Sequence, residues 1–194
     1  MSKYLGVAAS GSAEVTQTAV DILEAGGNAF DAALGALCTA SIAEPLLASL
    51  GGGGFLMALP EGKRPRVYDF FCHTPAKRRP EEDIDFYPIM ANFGTAEQEF
   101  HIGLGSCAVP GVVAGIFRAH DELGRMPMAD IMAPAISLAR SGVEVDAFHQ
   151  YIIRILRPIM RATPETFSLY ESPAHPGHLI RQGEMLRNPE AAVA

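Results

Sequence analysis

Three groups of residues in this 194-residue sequence have types and spacings that could carry chemistry. Gly51–Gly54 has the glycine density of a phosphate-binding loop. Gly103-Leu104-Gly105-Ser106 sets a serine behind two glycines. Cys72 and His73 are adjacent, with His101 and Cys107 downstream, and these are residue types that ligate zinc. Each group lacks the context its chemistry needs. A phosphate loop requires a following Lys and Ser/Thr and a helix N-terminus to face the anion. Here Phe55, Leu56 and Met57 follow, so the glycines are expected to allow a tight backbone path beside another segment. Ser106 lacks the strand–turn–helix setting of a nucleophile elbow. A zinc site needs repeated short-spaced ligand pairs, and neighbouring strand residues such as Cys72 and His73 point to opposite faces. No metal and no cofactor is expected. Cys72 remains as a reactive-thiol candidate, weighed against the ordinary role of a lone cysteine as a small hydrophobe.

Composition narrows the class of protein. Hydrophobic residues make up 48% and charged residues 19%, with a net charge of -7; this is a globular balance and not a disordered one. The basic cluster Lys77, Arg78 and Arg79 is followed at once by Glu81, Glu82 and Asp83. Such a run is a solvated loop, and no basic face exists to meet phosphates, so no nucleic-acid partner is expected. Three widely spaced cysteines suit a reducing compartment better than a disulfide framework. The N-terminus has no apolar run like that of a signal peptide. Ala29–Leu50 is interrupted by Asp31 and Glu44, whereas a membrane span needs roughly 20 predominantly apolar residues. The chain reads as soluble and cytoplasmic, with no membrane partner.

The elements that would position these residues follow from periodicity and caps. Residues 5–10 are a short apolar strand candidate. Ser12 is a helix N-cap, and Val15, Ala19, Ile22 and Leu23 fall on one face of a helix to Ala25. Gly26, Gly27 and Asn28 end it. A second helix runs from Asn28 or Ala29 to Ala43, and its small residues suit close packing. The glycine run leads into an apolar strand that pairs with Arg66–Phe71 as a hairpin. Residues 72–100 read as mostly irregular. Helices are expected after Gly111 to about Glu122, over Met128–Arg140 despite Pro134, and from Asp146 to about Met160. Asn188, Pro189 and Glu190 start a further helix that has barely begun at Ala194. The expectation is therefore a truncated chain.

Taken together, Ile22–Pro45 (ILEAGGNAFDAALGALCTASIAEP), SLGGGGFLMAL, DFFCHTPAK (Asp69–Lys77), AVPGVVAGIFRAHDELGRMP (Ala108–Pro127) and PAISLARSGVEV (Pro134–Val145) come in one order. In that order and spacing the sequence resembles the N-terminal half of the γ-glutamyltransferase family, which includes cephalosporin-acylase-like relatives. The resemblance implies an α/β fold, part of the αββα sandwich of an N-terminal-nucleophile hydrolase, with residues 1–194 as an incomplete, helix-rich portion of the large subunit. It also implies autocatalytic cleavage that exposes a threonine, whose hydroxyl attacks the γ-glutamyl amide with its own α-amine as base. That threonine lies downstream in the family. Thr16, Thr18, Thr39, Thr74, Thr95, Thr163 and Thr166 match none of the nucleophile positions, so no catalytic residue is expected in this chain.

One substrate-binding residue is implied within it. The family motif reads Asp-Phe-Arg-Glu, and its arginine clamps the α-carboxylate of the γ-glutamyl group in a bidentate contact. Here the motif reads Asp69-Phe70-Phe71-Cys72, with Pro75 following, so Phe71 stands in the arginine's place and cannot make that contact. Arg66, Lys77, Arg78 and Arg79 are nearby in sequence as replacement cations. The implied partners are a small-molecule γ-glutamyl or other acyl amide and the missing C-terminal, small-subunit half. An acylase acting on a non-glutamyl amide and a non-catalytic homologue are the alternatives.

Overall fold

A computed structural model describes residues 6–193. The chain divides into two compact units. The first holds the chain up to Cys72, Pro110–Ser141 and the segment from Asn188; the second holds His73–Val109 and Gly142–Arg187.

In the first unit, helix α1 (Ala13–Glu24) starts where Ser12 Oγ accepts the Val15 N–H at 3.3 Å. It buries Val15, Ala19 and Ile22 on one face, as the periodicity predicts. Gly26 ends it in the left-handed region at φ 95°. Helix α2 (Ala29–Ala43) opens on a reciprocal capping box. Asn28 Oδ1 accepts the Phe30 and Asp31 N–H groups, and Asp31 Oδ2 accepts the Asn28 N–H at 2.8 Å. Its small residues do allow close approach: a Cβ on Gly35 would overlap Ile22 Cδ1 and stand 3.2 Å from the Ile131 carbonyl oxygen. Strands β1 (Phe55–Ala58) and β2 (Arg66–Asp69) form the expected antiparallel hairpin, with Phe55 opposite Asp69 and Met57 opposite Val67. Helices α3 (Val112–Leu123) and α4 (Met128–Ser141) complete the unit. Ile22, Leu34, Cys38, Phe70, Ile116 and Ile131 meet in one core.

Asp31 does more than cap. It is fully buried; Oδ1 accepts the Arg125 N–H at 2.9 Å and Oδ2 the Met126 N–H at 3.3 Å, while Asn28 Nδ2 donates to the Leu123 carbonyl at 2.7 Å. One cap thereby satisfies the start of α2 and the turn between α3 and α4.

The second unit departs from the sequence reading. The stretch expected to be irregular contains a hairpin, β3 (Tyr87–Asn92) and β4 (Glu97–Ile102), with Tyr87 opposite Ile102 and Asn92 opposite Glu97. Its turn is made by Asn92 Oδ1 accepting the Gly94 N–H at 2.7 Å, with Gly94 at φ 92°. Beyond it lie β5 (Val143–Glu144), α5 (Ala147–Ile155), α6 (Arg157–Met160), α7 (Pro164–Tyr170) and β6 (Met185–Leu186), with β5 antiparallel to β6. Asp146 caps α5 by accepting the His149 N–H at 2.7 Å, as predicted. The helix expected to reach Met160 breaks at Leu156, because Pro158 has no N–H to continue the ladder.

Two further expectations are corrected. Gly6–Ser10 join no strand among the described residues, and Leu5 lies outside them. After Asn188, whose Oδ1 accepts the Ala191 N–H at 3.1 Å, Pro189–Val193 form turns with bonds from Ala192 to Pro189 and Val193 to Glu190 in place of a helix. No helix among the described residues is long and apolar enough to cross a membrane.

The Asp31 clamp gives a direct prediction. Asp31→Asn keeps the shape but turns an N–H₂ towards backbone donors that need an acceptor. Hydrogen bonds to a group of this kind contribute about 1.5–3 kcal/mol, and orphaned donors add to the loss. Urea unfolding followed by circular dichroism should show about 2 kcal/mol of destabilisation for Asp31→Asn and more for Asp31→Ala; an unchanged midpoint would show that the clamp is dispensable.

Candidate functional site

The site candidate is the platform formed in the first unit by the glycine run, the end of β2 and the start of α3. Gly52 O accepts the Gly111 N–H at 3.0 Å and the Val112 N–H at 3.3 Å, fixing where α3 begins. Gly54 and Phe70 exchange backbone hydrogen bonds of 3.3 and 3.1 Å, which extend the β1–β2 ladder by one pair. Between these anchors, the backbones of Gly53 and residues 71–72 nearly touch. A Cβ on Gly53 would overlap the Cys72 nitrogen and stand 2.8 Å from Phe71 C and Cα; one on Gly111 would overlap the Phe70 carbonyl oxygen. Phe70 itself is buried, its ring lying against Gly115, where a Cβ would overlap it. The expectation of a tight backbone path beside another segment is met, and the run enters a strand and not a helix.

With Phe70 held inward, strand alternation turns Phe71 outward. Its ring is 53% exposed and stacks on Phe55, itself 63% exposed, with centroids 5.5 Å apart and planes 15° apart. The Phe71 N–H donates to Asp69 Oδ1 at 3.0 Å. Arg66 lies on the other face of β2. Its Nη1 is 3.1 Å from Glu122 Oε2, which also accepts from the Tyr68 hydroxyl at 2.8 Å, while Arg118 Nε is 2.6 Å from Glu122 Oε1. The Tyr68 hydrogen bond, helped by the charges of Arg118 and Arg66, holds Glu122 below the ordinary carboxylate range. Burial, and then the bond to Glu122, pushes the Tyr68 hydroxyl up. Arg66 is therefore committed to α3 and does not share the face of Phe71. Lys77, Arg78 and Arg79 belong to the second unit and are exposed.

The other candidates separate. Ser106 sits in a single 3-10 turn (Leu104–Ser106), and its Oγ donates to the Gly103 carbonyl at 2.7 Å. His73 pairs through its backbone with Val109, and His101 stacks on Phe86 with Nε2 3.6 Å from Glu99 Oε1. Among the described residues, no three His, Cys, Asp or Glu side chains come together as a metal site. Cys38, Cys72 and Cys107 are free thiols, and burial pushes the Cys38 thiol up to about 11. Thr18 and Thr39 share a buried hydroxyl contact of 3.0 Å, and Thr163 caps α7. Sequence reasoning missed Phe55 and Glu122. The hairpin register would have revealed Phe55, since it sets alternate residues of β1 on the face of Phe71. For Glu122 the only local signal is Arg118 four residues earlier on α3, since Arg66 and Tyr68 come from a strand more than fifty residues away.

Comparison with known proteins gives this arrangement its class. The structure of Helicobacter pylori gamma-glutamyltranspeptidase superposes with a TM-score of 0.80 at 20% identity, covering 100% of this chain and 53% of that one. The two share a fold of mixed α/β type, of which this chain spans about half. The gamma-glutamyltranspeptidase family model matches residues 15–194, and the chain belongs to that family. It is 34% identical over 145 residues to the glutathione hydrolase proenzyme of Escherichia coli (strain K12), covering 73% of this chain and 23% of that protein. It is 33% identical over 132 residues to the acylase ACY 1 proenzyme of Pseudomonas sp. (strain V22), covering 66% of this chain and 23% of that protein. The chain spans about a quarter of the length of these two curated relatives.

Two outcomes test the platform. Gly53→Ala should cost about 1–3 kcal/mol, the range for forcing atoms into a filled site. Gly51→Ala, whose Cβ would meet Ser49 Oγ at an ordinary 3.5 Å, should leave stability within about 0.5 kcal/mol. Equal unfolding midpoints for the two variants would refute the close approach.

Acid titration tests the Glu122 cluster. A lowered folded pKa means that its stabilisation is present above the unfolded value and is lost as pH falls through the folded one. Tyr68→Phe removes the leading cause, so the Glu122 midpoint followed by carboxyl NMR should rise, and the loss of stability attributable to Glu122 on acidification should become shallower. An unmoved midpoint would show that the hydroxyl bond does not matter.

Proposed function

We propose that this chain is the leading part of an enzyme that transfers or hydrolyses an acyl group held in amide linkage, γ-glutamyl or a related acyl, through a threonine acyl-enzyme whose nucleophile lies outside this chain. Family membership supports the reaction class, and relatives named glutathione hydrolase and acylase support an acyl group that need not be γ-glutamyl. In the reaction as proposed, the threonine hydroxyl adds to the amide carbonyl, its proton passes through the α-amine to the departing amine, and water or an acceptor amine then releases the acyl group. Three free thiols, one of them exposed, support a reducing, cytoplasmic setting.

The observation that carries the choice of acyl group is Phe71. By the resemblance it stands where the family's carboxylate-binding arginine would; in the structure it projects a half-exposed ring and has Asp69 as its charged neighbour, while Arg66 is committed to Glu122. Among the described residues of the hairpin, no guanidinium shares the face of Phe71. This favours the acylase-type reading, in which the acyl group lacks an α-carboxylate, over glutathione.

Two measurements test the proposal. Purified as it stands, the 194-residue chain should release no aniline from a γ-glutamyl anilide above the protein-free control; turnover abolished by a substitution in this chain would place the nucleophile here. In the full-length enzyme, Phe71→Arg should raise kcat/KM for a γ-glutamyl amide on the order of ten- to a hundredfold relative to an acyl amide without the carboxylate, because a charge-assisted bond contributes roughly 1.5–3 kcal/mol. A parallel fall on both substrates with a lower Tm would instead mean that an unpaired charge had been buried, and would retire the assignment of Phe71 to the acyl site.

A further inference from the structure

We infer that Phe55 is a specificity-determining residue, and that the stacked Phe55–Phe71 pair selects amides whose acyl group carries a flat, uncharged aromatic ring. The inference rests on the reading that Phe71 borders the acyl group, and it deepens that reading by naming the substrate class. It starts from the register: Phe55 opposes Asp69 and Met57 opposes Val67, so these four side chains share one face of the hairpin, and ring stacking brings Phe71 onto the same face. The opposite face is the packed one, with Ala58 and Phe70 buried.

The two rings are held apart from that core for different reasons. Phe71 cannot retract, because its backbone lies against Gly53 and its N–H is fixed by Asp69. Phe55 follows the last glycine of the run and is locked by the ladder. Rings at 5.5 Å and 15° are an offset stack, and a further aromatic ring continues such a stack face-on or edge-on at centroid separations of about 4.5–7 Å. The charged group on the face is the Asp69 carboxyl, which disfavours an anionic acyl group and leaves a neutral one unaffected. An aliphatic acyl chain would gain burial against these residues but not the directional ring contact.

The test uses the full-length enzyme with three anilides: phenylacetyl, butyryl and γ-glutamyl. The wild-type enzyme should prefer phenylacetyl to butyryl by at least about threefold to tenfold, the range that ring–ring contacts supply beyond burial. Phe55→Leu, which keeps an apolar side chain but removes the ring, should reduce the phenylacetyl-to-butyryl ratio of kcat/KM by a similar factor. Phe55→Tyr should restore the ratio, and Phe55→Leu combined with Phe71→Leu should reduce it little further than either change alone, since the rings act as a pair. Wild-type turnover of butyryl or γ-glutamyl anilide in preference to phenylacetyl would overturn this inference and leave the acyl-transfer reading standing. Loss of all activities in Phe55→Leu with a lowered Tm would overturn it too, by showing that Phe55 packs against the rest of the protein. An enzyme that cleaves none of the three anilides would overturn the acyl-transfer reading, and this inference with it.

Discussion

Everything at the site depends on two stretches of backbone lying closer than any side chain permits. Gly53 approaches Phe71 and Cys72 so nearly that a methyl group has no room, and Gly111 backs onto Phe70 in the same way. Glycine is costly to order, because its unfolded chain has more freedom to lose, so a run of four needs a strong reason to stay in place. Burial of Phe70 against Gly54 and Gly115 supplies it; a phenylalanine taken out of water contributes about 1.5–3 kcal/mol. The hydrogen bonds from Gly111 and Val112 to Gly52 then tie the start of α3 to the same glycines. The wedge and the glycines are complementary: the ring fills the space that absent side chains leave.

The parts of the fold that were legible in the sequence are those with local causes. Ser12, Asn28 and Asp146 cap helices because their oxygens reach N–H groups two or three residues on, and this geometry is written in a short window. The β1–β2 hairpin was legible because an apolar run and a second strand flank a polar turn. The β3–β4 hairpin was not, because Pro88 sits within its first strand and its second begins Glu97-Gln98-Glu99, so neither shows the apolar alternation that marks a half-buried strand. Its ladder is fixed instead by the Asn92–Gly94 turn. Asp31 shows the limit from the other side. Its capping role could be read from Asn28 three residues earlier, but its bonds to Arg125 and Met126 depend on how α3 and α4 return, which no window of sequence contains.

At the candidate site the same division holds. The glycine run could be read as a close approach, and Phe71 as the departure from the family motif. The consequence of that departure could not be read, because it depends on which face Arg66 occupies and on what Phe71 meets. The ladder answers both: Arg66 turns with Tyr68 and Phe70 towards α3, where Glu122 accepts two of them, and Phe71 turns the other way to Phe55.

The same constraints separate what fixes the hairpin from what its outer face presents. The constraints that fix β2 are the burial of Phe70, the Asp69 bond to the Phe71 backbone, the Glu122 cluster and the glycines opposite. Each acts on the backbone, or on a side chain of the packed face. None acts on the side chain of residue 71, which projects from the far face, where it stacks on Phe55. Likeness in fold, even at a TM-score of 0.80, therefore carries no information about the acyl group. On the outer face of this hairpin the scaffold leaves two stacked aromatic rings, Phe55 and Phe71, and the Asp69 carboxyl group exposed.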